Sequence, residues 1–103
     1  MAGRNQSALK HDLRRGEIIW VLKQDYPHEV TFRHLQLALH DRNIPLSPKD
    51  LESYLHYLEE GRFVRCVRQN DETESRQVIA AAALTRRGML LLDKKLTDPG
   101  VRF

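Results

Sequence analysis

At 103 residues, with 41% hydrophobic and 30% charged side chains, the chain has the size and polarity of one soluble globular domain with one modest core. No run approaches membrane-spanning length, MAGRNQSALK lacks an apolar secretory core, and the lone Cys66 excludes an internal disulfide framework; the expected setting is the reducing cytoplasm. The net charge of +3 is uneven: residues 1–26 carry five basic and three acidic side chains, residues 27–61 three and six, and residues 62–103 nine and five. A basic end that attracts phosphate thus follows an acidic middle that repels it.

Residues 1–6 read as a frayed tail. From Ser7, a natural N-cap, to Tyr26 the pattern is helical, and Pro27 follows its end. On a helical projection Ile18, Ile19, Leu22 and Tyr26 share one side and form a core face, while Leu9, Leu13, Gly16 and Trp20 form a second stripe roughly opposite. Both stripes need cover. Either the last helix lies over the second one, or another copy of the chain does, with Leu9, Leu13 and Trp20 as a dimer interface. Thr31 caps a second helix reaching about Arg42, with Phe32, Leu35, Ala38 and Leu39 inward. Pro45 disfavours helix at Asn43 and Ile44, so Asn43 to Leu46 is a turn. Ser47-Pro48-Lys49-Asp50 then opens a third helix. Ser47 can accept from unpaired amides, Pro48 suits the first helical position, and Asp50 favours the positive helix end. Leu51, Tyr54, Leu55 and Leu58 recur at the spacing of one buried face, and Gly61 ends the helix.

Arg62 to Arg68 and Gln77 to Leu84 read as strands around the polar QNDETES turn. Alanine favours helix over strand, so the Ala80–Ala83 run leaves a rival reading of one helix from about Arg76 to Leu96. Thr85, a natural cap, and Gly88, which costs a helix interior about 1 kcal/mol against alanine, favour a hairpin followed by a separate helix. The closing DPGVRF reads as a turn and an anchored or frayed tail over 97–103.

The segment LSPKDLESYLHYLEEGRFVRCV resembles the recognition helix and first wing strand of winged-helix proteins. ALTRRGMLLLD is similar to the stretch after the wing in small bacterial and phage regulators of the PadR, MarR and ArsR type, with Thr85 at the cap and Gly88 at the small position. The likeness covers roughly Leu13 to Leu96. It implies a mainly α fold with a β-hairpin (α+β): a three-helix core, a two-stranded wing and a C-terminal helix, forming one domain over 1–103. It also implies sequence-specific binding of double-stranded DNA in transcription regulation, commonly as a dimer.

On that reading helix 47–60 enters the major groove. Its outward face centres on Lys49, Ser53, His56 and Glu60, with Glu52 and Tyr57 beside it. Lys49, Ser53, His56 and Tyr57 suit base edges or phosphates, and Arg68 and Arg76, flanking the hairpin tip, suit phosphate. Two features pull the other way. The helix face sets one lysine against two glutamates, and the tip carries Asp71, Glu72 and Glu74 where wings that touch the minor groove bring arginine or lysine. The alternative is a winged helix that binds protein and no DNA, offering its acidic helix and basic wing flank to partners. Arg62, Arg65, Arg86 and Arg87 enlarge that basic flank; Arg86 and Arg87 follow the Thr85 cap, where the helix dipole disfavours cations.

Five histidines and Cys66 invite a metal reading, but there is no His pair at i, i+4 and no Cys-x-x-Cys, so no metal or cofactor is expected. Ser47 and Ser53 lack a glycine-flanked elbow, and the glycines form no phosphate loop. No catalytic residue and no enzymatic activity are expected.

Overall fold

The computed structural model describes residues 6–103. Helix α1 (Gln6–Lys23) is followed by β1 (Val30–Thr31), α2 (Phe32–Asp41) and α3 (Pro48–Glu60). A hairpin of β2 (Val64–Asp71) and β3 (Arg76–Leu84) leads into α4 (Arg86–Leu92) and a C-terminal arm. Of the expected frayed tail, residues 1–5 lie outside the described residues, and Gln6 opens α1.

Helices α2, α3 and α4 are delimited by the same local chemistry at both ends. Thr31, Ser47 and Thr85 sit in extended backbone, and their side-chain oxygens accept from the amides of His34, Asp50 and Gly88, each three residues on. At the far ends Asn43, Arg62 and Lys94 adopt left-handed backbone, with φ of 65°, 64° and 63°. The next amide then reaches back five residues in each case: Ile44 to Leu39, Phe63 to Leu58 and Lys95 to Leu90, all at 2.9 Å. Glycine is the usual occupant of such a position, yet none of these three is glycine. Gly61 precedes the left-handed residue at φ −77°, and it serves another purpose. A Cβ there would lie 2.4 Å from the Phe63 ring.

The core lies where α1, α2 and α3 meet the sheet. Ile18, Ile19, Leu22, Leu35, Leu39, Leu51, Leu55 and Leu58 are fully buried, with Phe63 closing the junction of α3 and β2. Each such side chain contributes about 1.5–3 kcal/mol relative to exposure. Tyr26, expected on the core face, is 38% exposed. Helix α1 stops at Lys23, and the amides of Gln24, Asp25 and Tyr26 close tighter three-residue turns, which carry Tyr26 off the helical stripe.

The rival helix over 76–96 does not form; β2 and β3 pair antiparallel from Val64 opposite Leu84 to Asp71 opposite Arg76. The strands run further than the sequence indicates, shrinking the turn to residues 72–75. The sheet also has a third strand. Val30 pairs with Ala82 and Thr31 with Ala81, which adds β1 at the base of the two-stranded wing and gives the order β1-β3-β2. This makes the base of β3 a central strand, and Ala81, Ala82 and Ala83 are buried there beneath the helices. Small side chains let helices approach the sheet closely, so packing overrides the helix preference of alanine. A bulge between Val67 and Arg68 leaves Ala80 as the extra residue on β3.

Of the two ends expected for residues 97–103, anchored or frayed, the structure has the anchored one, a docked arm. Gly100 and Val101 are buried, and the Arg102 amide donates to the Asp12 carbonyl at 3.0 Å. The Arg102 carbonyl lies over Gly16 so closely that a Cβ would sit 1.8 Å from it. The arm and Leu92 therefore cover part of the second α1 stripe, while Leu13 and Trp20 stay 42% and 40% exposed. Helices α2 and α3 as a helix-turn-helix, the hairpin beside them and α4 behind it make the α+β arrangement of a winged helix.

Candidate nucleic-acid interface

The leucine face of α3 is buried, which turns Lys49, Ser53, His56 and Glu60 outward; all four are exposed. Glu52 and Glu59 are half-buried toward the hairpin. Both arginines assigned to phosphate are already engaged by these glutamates. Arg68 grips Glu59 with two prongs, Nη1 to Oε2 at 2.9 Å and Nη2 to Oε1 at 2.6 Å. Arg76 donates from Nη1 to Glu52 at 3.2 Å and from Nε to Glu74 at 2.6 Å. His56 Nε2 stands 3.9 Å from the same Glu52 oxygen. A ladder of ion pairs thus laces the hairpin to α3 along their seam.

The titration behaviour follows from those contacts. The hydrogen bonds from Arg68 hold the Glu59 carboxyl below the usual glutamate range, and Glu59 in turn raises Arg68. Arg76 is raised by its hydrogen bonds to Glu74 and then Glu52. Burial pushes the Cys66 thiol up to about 12, with the Glu59 charge adding to it, so this cysteine is a neutral packing residue. At the tip, Asp71 accepts from the Thr73 amide at 2.9 Å and so shapes the turn.

Tyr57 stands apart from the other sequence-derived candidates. Its hydroxyl donates to Asp98 at 2.7 Å, and its ring lies 4.0 Å beneath the Arg15 guanidinium. The Tyr57 phenol is thus committed to α1 and the arm. Its spacing on α3 placed it at the edge of the outward face, and the arm that claims it is remote in sequence. Around it lies a polar cluster that sequence reasoning missed. Arg15 donates to the Gly100 carbonyl at 2.9 Å and to the fully buried Asp12 at 3.3 Å, and His11 Nδ1 hydrogen-bonds the Tyr54 hydroxyl.

The remaining basic side chains divide between elements. Arg65 pairs with Glu29 at 2.9 Å, ahead of β1. Arg87 donates to the Gly61 carbonyl at the end of α3 at 2.9 Å and lies over the Phe63 ring, which offsets its unfavourable place in the first turn of α4. Among the described residues no group of three histidine, cysteine, aspartate or glutamate side chains is gathered to hold a metal ion. No helix among them is long and apolar enough to cross a membrane.

No family model matches the sequence, and no curated protein matches it. Among solved structures the chain is similar to a PadR family transcriptional regulator from Eggerthella lenta DSM 2243. The likeness covers 86% of this chain and 77% of that one, with a TM-score of 0.57 and 22% identity. What the two share at that identity is the winged-helix fold.

Proposed function

We propose that this protein is a DNA-binding transcriptional regulator in which α3 enters the major groove. The observation that carries the reading is the exposed row of Lys49, Ser53 and His56 on α3, beside a hairpin placed as a wing. Ser53 and His56 are suited to base edges, and Lys49 to the phosphate backbone. Arg68 and Arg76 remain the wing's candidates for phosphate. The regulator described for the similar structure supports the assignment at the level of class.

Fluorescence anisotropy with mixed-sequence duplex tests this. Binding should be present at ~50 mM salt and weaken steeply by ~200 mM, as phosphate contacts displace counterions. Ser53→Ala should change sequence preference by about 1–3 kcal/mol at its base pair, whereas Lys49→Ala should weaken all sequences alike. Absence of binding at the lower salt would sink the DNA reading.

A second reading is favoured by the ion-pair ladder. With Arg68 and Arg76 engaged by glutamates, the other charges of α3 and the hairpin tip are Lys49 against Asp50, Glu60, Asp71 and Glu72, and a basic protein partner would suit that balance. That reading requires negligible affinity for duplex at ~50 mM salt.

The α1 stripe is the proposed site of pairing between two copies. Leu13, Trp20 and the nearby Phe103 are exposed around a groove floored by Gly16 and Leu92, with Leu9 further along the helix. Leu13→Glu, half-exposed and tolerable in a monomer, should convert dimers to monomers in light scattering while leaving the helical signal unchanged. Unfolding instead would show that the stripe belongs to the subunit's own core.

A further inference from the structure

We propose that Glu59 and Glu52 act as internal stand-ins for DNA phosphate, occupying Arg68 and Arg76 in the free protein and setting a threshold for duplex binding. The inference rests on the DNA reading above and adds a layer of control to the same surface. Its basis is the geometry of the seam. Arg68 presents its guanidinium fork to both oxygens of Glu59, the two-pronged arrangement with which arginine holds a phosphate group. Arg76 likewise divides its donors between Glu52 on α3 and Glu74 on its own hairpin. In both arginines the groups that would hold phosphate are therefore turned to carboxylates of the surface that would meet DNA.

The strength of the ladder suits a threshold more than a block. The Arg68 and Glu59 side chains are each about a third exposed, at 31% and 30%, and those of Arg76 and Glu52 are 50% and 23% exposed. Ion pairs this open to water are weak and screened by salt. A duplex brings a dense row of phosphates and releases counterions when cations engage it, so it can take the arginines from their glutamates. Sparse or poorly aligned phosphates cannot. Among the described residues, α3 and the hairpin tip add Lys49 as a cation and Asp50, Glu60, Asp71 and Glu72 as anions, so freeing the arginines makes this surface more attractive to DNA.

The test is a double-mutant cycle read by anisotropy with the same mixed-sequence duplex. Glu59→Gln should tighten binding by up to about fivefold, the range of an exposed ion pair, and steepen the salt dependence by about one unit as Arg68 becomes free for phosphate. Glu52→Gln should do the same through Arg76, to a smaller extent because Glu74 still holds it. The decisive arm is Glu59→Gln in an Arg68→Ala background, where the gain should vanish. If the gain persists there, it is general relief of repulsion and the competition is overturned. If wild type binds duplex and Glu59→Gln changes nothing, the inference fails while the DNA reading stands. If neither binds at ~50 mM salt, both fall. Thermal midpoints of the glutamine variants should stay close to wild type, since exposed pairs contribute little to folding.

Discussion

Phe63→Ala should be among the most damaging single changes in this protein, lowering stability by about 3–5 kcal/mol. The ring is 2% exposed and fills the space that Gly61 leaves by having no Cβ. The same residue ties three elements together through its backbone: its amide closes the α3 terminus on Leu58, and its carbonyl accepts from the Thr85 amide at 3.1 Å and the Thr85 hydroxyl at 3.0 Å. A domain of this size has about 5–15 kcal/mol in total, so the loss is a large fraction of it. The unfolding midpoint should fall by at least about 12 °C in a thermal scan followed by circular dichroism. Gly61→Ala should also destabilise, because its methyl would meet the ring, but it should cost little more once the ring is gone. Strict additivity of the two changes would show that the ring does not depend on the bare α-carbon.

The second large effect is expected at Arg15. Its guanidinium is stacked over Tyr57, bonded to the Gly100 carbonyl and paired with Asp12, whose side chain is 1% exposed. Arg15→Met keeps most of the stem but removes one partner of a buried ion pair, a change that costs about 3–5 kcal/mol. Asp12→Asn in the same background should recover part of the loss, since a neutral amide is cheaper to bury. The arm should loosen with the pair, so the Arg102 amide, bonded to the Asp12 carbonyl, should exchange its hydrogen faster than amides in α3. Unchanged exchange at Arg102 with a lowered midpoint would mean that the arm is held by Gly100 and Val101 packing alone.

How much of this was legible in the sequence depends on the range of the interaction concerned. Thr31, Ser47 and Thr85 each cap a helix through an amide three residues away, and the leucine spacing of α3 marks its buried face. Cap and stripe are properties of a short window, so the helix starts, the inward face of α3 and the hairpin with its following helix could be read directly, and with them Lys49, Ser53 and His56 as the outward row. The site's electrostatics could not. Arg68 and Glu59 are nine residues apart, and Arg76 and Glu52 twenty-four, on elements whose facing is set by how the hairpin folds over α3. Charge counting therefore offered Arg68 and Arg76 as grips for phosphate without showing which carboxylates they meet.

The same distinction accounts for the third strand, Tyr57 and the arm. Val30 and Thr31 are too few to show alternation, and they become a strand because α1 and α2 bring them to the open edge of β3. Tyr57 carries a helix-surface spacing, but Asp98 and Arg15 reach it from remote parts of the chain. The alanines of β3 read against strand in isolation and suit it once helices press on them. The sequence by itself determined where the helices begin and which of their faces turn inward, because hydrogen bonds between near neighbours and apolar periodicity act within a few residues. Tertiary structure alone decided which charges neutralise one another and which polar groups face solvent, because those depend on approach distances between segments that no local rule constrains.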